Sequence, residues 1–241
     1  MIAETTLTTA DDGSGQMFDR IASRYDLLNR LLSFGSDQRW RRSAVRALGL
    51  TGPARVLDLA TGTADVAILV AQTHPDCTVV GLDPSQRMLH LAHKKVLRAG
   101  LSRNIELGPG QAQDLPFDDK SFDGVCIAFG IRNVPDRSLA LREICRVLKP
   151  GARVSILELT EPPPTLLGRL ARVQVHVIVP WLGAVLSGSR EYRYLQRSIR
   201  AFPAAPQFCK MMTEAGLSRV TMKSFSAGAC HLFVGERRPL A

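Results

Sequence analysis

Two acids and three small residues carry the first hint of chemistry. In V-L-D-L-A-T-G-T-A-D, Asp58 is followed by Ala60, Gly62 and Ala64 at alternate positions, so an apolar run opens into a turn of little side-chain bulk. Small residues there let the backbone approach a ligand closely. The dinucleotide fingerprint G-x-G-x-x-G is not satisfied in register, so the turn by itself leaves a cofactor loop and a plain tight turn both open. Asp83, in V-V-G-L-D-P-S, follows Asp58 by roughly 25 residues, about the interval at which a dinucleotide fold places an acid to accept hydrogen bonds from ribose hydroxyls. Its bland alternative is a helix-capping turn. Two more polar turns end the next apolar runs: G-P-G-Q-A-Q-D-L-P-F, with Gln111 and Ala112, and C-I-A-F-G-I-R-N, with Ala128, Arg132 and Asn133. Four such turns on successive strand ends make a crevice for a nucleoside.

The elements that must position these residues follow from hydrophobic period. Apolar runs at 55–59, 78–82, 104–107, 122–129 and 153–159 alternate with helical patterns at 65–72, 85–99 and 138–148. That alternation predicts an α/β fold with a doubly wound, mostly parallel sheet. Two further strands, 218–225 and 231–236, joined through S-A-G-A, bring the sheet to seven as a hairpin on its edge. Ahead of the sheet, Phe18, Ile21, Tyr25, Leu28 and Leu32 recur at helical spacing, and Ser36 is the expected N-cap of a second helix running through Trp40 to about Leu48. The expected organisation is a disordered tail at 1–15 and one domain over 16–241, with an N-terminal helical extension (16–50) and a helical lid (164–202) inserted before the last two strands.

A chain of 241 residues with 45% hydrophobic and 22% charged residues has the composition of one folded domain. Lysine and arginine (31) outnumber aspartate and glutamate (22), giving a net charge of +9 that favours phosphates, nucleic acid or anionic headgroups. Five scattered cysteines, odd in number and without C-x-x-C spacing, argue against a disulfide framework or structural zinc and fit a reducing cytoplasm. His90 and His93 lack a third ligand in sequence, so no metal site is expected. No apolar run reaches the roughly 18 to 20 residues of a membrane span, since Val173–Leu186 is broken by Gln174, His176, Pro180 and Gly183.

In order and spacing, L-D-L-A-T-G-T-A-D, G-L-D-P-S-Q-R-M-L, Q-A-Q-D-L-P-F-D-D-K-S-F-D, A-F-G-I-R-N-V-P-D and R-V-L-K-P-G-A-R resemble an S-adenosylmethionine-dependent methyltransferase with a Rossmann-like sheet. With M-F-D-R-I-A-S-R-Y-D-L-L-N and S-R-E-Y-R-Y-L-Q-R-S-I-R, the resemblance narrows to the ubiquinone/menaquinone biosynthesis C-methyltransferases and covers about 17–236. It implies S-adenosylmethionine as cofactor, with Asp58 and Gly62 in the first loop, Thr63 beside them, Asp83 on the ribose, Gln111 and Ala112 on the adenine side, and Ala128 at a position that is often serine in the family. The family's A-G-G-T-G-D is A-T-G-T-A-D here, which departs at Thr61 and Ala64.

The implied acceptor is a polyprenylated hydroquinone whose ring carbon becomes nucleophilic as its phenol, of pKa about 10, gives up its proton. Arg132 and Asn133 are placed to donate to the phenolate oxygen, and Tyr25 to reach over the site. Their alternatives are a surface salt bridge, a turn residue and a core aromatic. His176 is either an interior histidine or a base. The apolar V-Q-V-H-V-I-V-P-W-L-G-A-V-L flanked by Arg169, Arg172, Arg190, Arg193, Arg197 and Arg200 suits a lid that shields a prenyl chain against anionic lipid, hence peripheral contact with the inner membrane face. A homodimer or a quinone-biosynthesis complex is compatible with this reading. A nucleic-acid methyltransferase also accommodates the charge, but the N/D-P-P-Y/F/W motif is absent at the fourth strand, so no nucleic-acid partner is expected. A salt-sensitive RNA gel shift is the observation that would revive it.

Overall fold

Strand β1 (Arg55–Leu59) buries Val56, Leu57, Asp58 and Leu59, and β2 (Thr78–Asp83) buries all but its first residue. Near-continuous burial of this kind means both faces of the sheet are covered. In the computed structural model, residues 33, 35–163 and 189–239 are described, the side chains of 189–193 excepted. The remaining strands are β3 (Ile105–Pro109), β4 (Phe122–Ala128), β5 (Leu148–Leu159), β6 (Leu217–Phe225) and β7 (Cys230–Arg237). They form one seven-stranded sheet in the order β3-β2-β1-β4-β5-β7-β6. All pairs from β3 to β5 are parallel, and β7 is antiparallel to both β5 and β6. The strand order reverses between β1 and β4, which is where the carboxyl ends of a doubly wound sheet open a crevice.

Alternate residues of each strand face opposite layers. Leu57 and Leu59 join Val125, Ile127, Ile144, Phe208 and Phe233 in one cluster, beneath helices α4 (Arg137–Val147) and α6 (Ala205–Glu214). Val56, Val79, Val70 and Ala92 lie in the other, beneath α2 (Asp65–Thr73) and α3 (Gln86–Arg98). A third cluster, with Trp40, Ala44, Phe129, Leu157 and Leu232, is capped by α1 (Asp37–Ala47). Helix α5 (Ser189–Ala201) precedes α6.

Two sequence expectations change. Ser36 occupies the N-cap position of α1, but its backbone is helical and its hydroxyl makes no cap; Ser33 Oγ donates instead to Asp37 in the first turn, at 3.1 Å. Strand β5 begins five residues early, at Leu148, because Lys149–Ala152 bulge out between the Phe122–Leu148 and Gly124–Arg153 pairs. The last two strands form the expected antiparallel hairpin on the sheet edge, with β7 beside β5 and β6 outermost. Tyr25, His176, the helix at 17–32, the tail at 1–15 and lid residues 164–188 lie outside the described residues.

Candidate active site

The first loop folds around a buried carboxylate. Asp58, 1% exposed, accepts from Thr61 Oγ1 at 2.6 Å, from the Ala67 amide at 3.1 Å and from Cys126 Sγ at 3.5 Å. It ties the strand end to the first turn of α2, with both of its oxygens engaged by the loop, the helix and β4. Burial pushes this carboxyl up from 3.8 to about 6, against the opposing pull of Thr61, Cys126, the Arg41 charge and Ala67. An acid raised in this way favours the fold fully below pH 3.8, and loses that contribution as pH rises through about 6. An asparagine in place of the acid keeps an oxygen for Thr61 and Ala67. Asp58→Asn is therefore expected to stabilise the protein at pH 8 by up to about 3 kcal/mol, a gain shrinking toward zero near pH 4. Urea unfolding at the two pH values measures it, and a pH-independent difference would refute the assignment.

Ala60, Gly62 and Ala64 all have positive φ, at 51°, 56° and 66°. The loop therefore alternates through the left-handed region, which costs a residue with a Cβ about 1–2 kcal/mol. Ala64 is fully buried against Val66 and Val70, and its methyl recovers about 0.8 kcal/mol. A glycine there would also cost about 0.4–1 kcal/mol through the unfolded chain. These terms nearly cancel, so Ala64→Gly is expected to leave stability within about 0.5 kcal/mol of wild type in denaturant unfolding. A Cβ added at Gly130 would lie 2.4 Å from Ala60 Cβ, so the turn after β4 presses directly on this loop.

Asp83 ends β2 with both oxygens engaged in shaping the crevice: Oδ2 accepts from the Gly62 amide at 2.8 Å and Oδ1 from the Ser85 amide at 2.9 Å. The Thr61 amide donates to the Leu82 carbonyl at 3.0 Å, so the β1 loop and β2 end move as a unit. Thr63 is buried, and its hydroxyl accepts from Lys95 Nζ at 2.9 Å, the same ammonium that pairs with Asp65. Gln111 and Ala112 follow β3, with Gln111 exposed and bridged to Asp114, and Ala112 packed on the core. Arg146 donates to the Leu115 and Phe117 carbonyls, at 3.0 and 2.7 Å, and holds the far side of that loop.

Beyond Ala128, the last residue of β4, Phe129 takes a φ of 61°. A bulky residue holds such a conformation only where its surroundings over-determine it. Here the Phe129 amide donates to the Leu157 carbonyl at 2.7 Å, and its carbonyl accepts from Arg132 Nη1 at 2.7 Å. The same nitrogen meets Glu158 Oε1 at 2.6 Å, with side-chain exposures of 6% and 0%. This corrects the expectation for Arg132, whether as phenolate donor or surface salt bridge: its charge is met inside the protein by an acid that sequence reading missed. Glu158 was visible as the lone acid of the apolar run S-I-L-E-L. Asn133 ends the 3-10 turn Ile131–Asn133 and is half-buried. Its Oδ1 accepts from Tyr194 Oη on α5 at 3.2 Å, another partner without an assigned role in the sequence. His90 and His93 are exposed on α3.

The crevice thus gathers Gly62, Thr63, Asp83, Gln111, Ala112, Ala128 and Asn133 at successive strand ends, and sets Asp58 and Arg132 beneath them. Residues 7–237 match the ubiE/COQ5 methyltransferase family. The chain belongs to that family. It is 46% identical over 221 residues to the ubiquinone/menaquinone biosynthesis C-methyltransferase of Syntrophotalea carbinolica, covering 92% of each chain. It is also 46% identical to the demethylmenaquinone methyltransferase of Thermus thermophilus, over 92% of this chain and all of that one. Among solved structures, an S-adenosylmethionine-dependent methyltransferase of Thermotoga maritima, described as a possible histamine N-methyltransferase, superposes with a TM-score of 0.62 at 21% identity over 92% of this chain and 99% of that one. As a member of the ubiE/COQ5 family, the chain is an S-adenosylmethionine-dependent methyltransferase with a Rossmann-like fold. The crevice fits that donor on its own chemistry: a carboxylate stands at the β2 end for a ribose, and a buried guanidinium, Arg41, leaves its Nε without a hydrogen bond among the described residues. No described helix is long and apolar enough to cross a membrane.

Proposed function

We propose that the protein transfers a methyl group to a ring carbon of a polyprenylated hydroquinone, converting demethylmenaquinol to menaquinol or serving the equivalent ubiquinone step. Identity of 46% across nearly the full length of two proteins so named carries the reading. S-adenosylmethionine supplies an electrophilic methyl on a sulfonium. Asp83 takes the ribose, Gly62 and Thr63 line the loop, Gln111 and Ala112 flank the adenine, and Ala128 contributes backbone. Without a hydroxyl at Ala128, that contact is left to main-chain atoms.

With Oδ1 occupied by Tyr194, Asn133 presents its Nδ2 hydrogens to the acceptor, and an N–H aimed at the ring oxygen favours phenolate over phenol. With the donor bound, the ring carbon would take the methyl as the methyl–sulfur bond breaks, the sulfonium leaving as a neutral thioether, and the ring would then regain aromaticity by releasing that carbon's proton to water. Arg132 acts through the turn it holds, a positioning residue rather than a catalytic one. Tyr25 remains part of the proposal as a residue over the site. Phe129 and Trp40 are buried in the third core cluster, with the half-buried Phe225 ring stacked on Trp40 at 6.1 Å. The arginine-rich segment before β6, including exposed Arg197 and Arg200, is proposed to rest on anionic lipid and keep the enzyme peripheral to the membrane.

Mass spectrometry of lipid quinones from cells lacking the protein tests this. Accumulated demethylmenaquinone or a demethylated ubiquinone precursor identifies the ring; an unaltered quinone profile overturns the function. Tyr194→Phe is expected to lower kcat about 5- to 10-fold, the value of one hydrogen bond near 1 kcal/mol, while donor affinity stays as in wild type. An unchanged kcat would remove Tyr194 from the site.

A further inference from the structure

We propose that Arg41 binds the α-carboxylate of the methyl donor. The inference rests on the placement of the ribose at Asp83 and is independent of which acceptor the enzyme methylates. The side chain of Arg41 is 7% exposed, yet its Nε has no hydrogen-bond partner among the described residues. Its nearest carboxylate oxygens there lie beyond hydrogen-bond reach, Asp37 Oδ2 at 3.6 Å from Nε and Asp65 Oδ2 at 3.7 Å from Nη2. Both acids have other donors: Asp37 accepts from Ser33 and Gln38, and Asp65 pairs with Lys95. A buried guanidinium with N–H groups unspent costs stability unless something else receives them.

Its position says what that is. Arg41 reaches from α1 to the first residue of α2, and its guanidinium carbon lies 5.2 Å from the Phe129 ring centroid. It therefore stands between the β1 loop and the turn after β4. With adenine beside β3 and ribose at β2, the amino-acid end of the donor runs across β1 toward β4, following the strand order. That end carries a carboxylate, for which a planar guanidinium is the matching donor. Arg132, on the same side, already meets Glu158.

The test compares S-adenosylmethionine with its decarboxylated form, which keeps the sulfonium and the ammonium and lacks only the carboxylate. Calorimetry on the full-length wild-type protein is expected to show roughly 10- to 100-fold tighter binding of the carboxylated ligand. In Arg41→Gln that preference collapses to about twofold, because binding of S-adenosylmethionine weakens while the decarboxylated ligand binds as before; Arg41→Lys restores part of it. Equal affinities for the two ligands in wild type, which need no variant to fold, overturn the proposal. So does a variant that weakens both alike, the mark of a purely structural arginine. If wild type binds neither ligand, the donor assignment itself fails, an outcome separate from loss of discrimination.

Discussion

Glu158→Ala is expected to destabilise the protein by roughly 3–5 kcal/mol, because it strands the Arg132 guanidinium in a buried site without its acid. Glu158 also accepts from the Arg132 amide at 3.1 Å and the Leu159 amide at 2.8 Å, so truncation orphans backbone donors as well. Arg132→Met should cost less, since the acid left behind keeps those two amides and can take up a proton. The double variant Arg132→Met/Glu158→Ala is expected to be less damaged than the sum of the singles by at least about 2 kcal/mol, as interacting buried charges require. Denaturant unfolding of the four proteins closes the cycle, and simple additivity would show the pair to be incidental. A functional consequence follows from Phe129, whose positive φ is secured at its carbonyl by Arg132. Loss of the pair lets that turn relax and carries Asn133 with it, so kcat should fall in both singles even under conditions where they are fully folded.

Where the sequence was informative, the determining interactions are local. Ser85 caps α3 through its own hydroxyl, accepting from the Met88 amide at 3.1 Å, and Asp136 does the same for α4 through the Leu139 amide. The parallel strands declare themselves by unbroken apolar runs, and Asp83 by its place just past one of them. What the sequence concealed depends on partners far along the chain. Nothing near Arg132 announces Glu158, twenty-six residues on in the next strand, so a cation beside a strand end read as a substrate donor. The direction of Asp58 was equally hidden, because one loop acid can face the ligand or the helix behind it. Residues 149–152 fell between the expected helix (138–148) and strand (153–159), although the chain already pairs with β4 at Leu148 and merely bulges around them. The insertion of β7 between β5 and β6 is a choice among long-range pairings that period alone does not make. Small residues at Ala60 and Ala64 were read as room for a ligand; the structure adds that they sit in the left-handed region normally left to glycine, held there by packing.

On the proposed placement of the ribose, Asp83→Ala should weaken S-adenosylmethionine binding by about 100- to 1,000-fold, since two ribose hydroxyls would lose charge-assisted hydrogen bonds worth about 1.5–3 kcal/mol each, with part of that loss offset by water. The same carboxylate tethers Gly62, so the variant also frees the β1 loop that must lie against the donor. Asp83→Asn separates the two contributions poorly, because an amide can offer only one acceptor where both the Gly62 and Ser85 amides now donate. A sharper control is Ser85→Ala, which removes the cap of α3 without touching either carboxylate oxygen; it should lower stability by about 1 kcal/mol and leave affinity within a few-fold. Calorimetry then distinguishes a ribose contact from a general loosening of the strand end. If Asp83→Ala binds the donor within about threefold of wild type, the ribose lies elsewhere and the order adenine, ribose, amino acid along β3, β2 and β1 collapses with it. If binding is lost, quinones from cells carrying only Asp83→Ala should match those from cells lacking the protein, because an enzyme without its donor leaves every acceptor unmethylated.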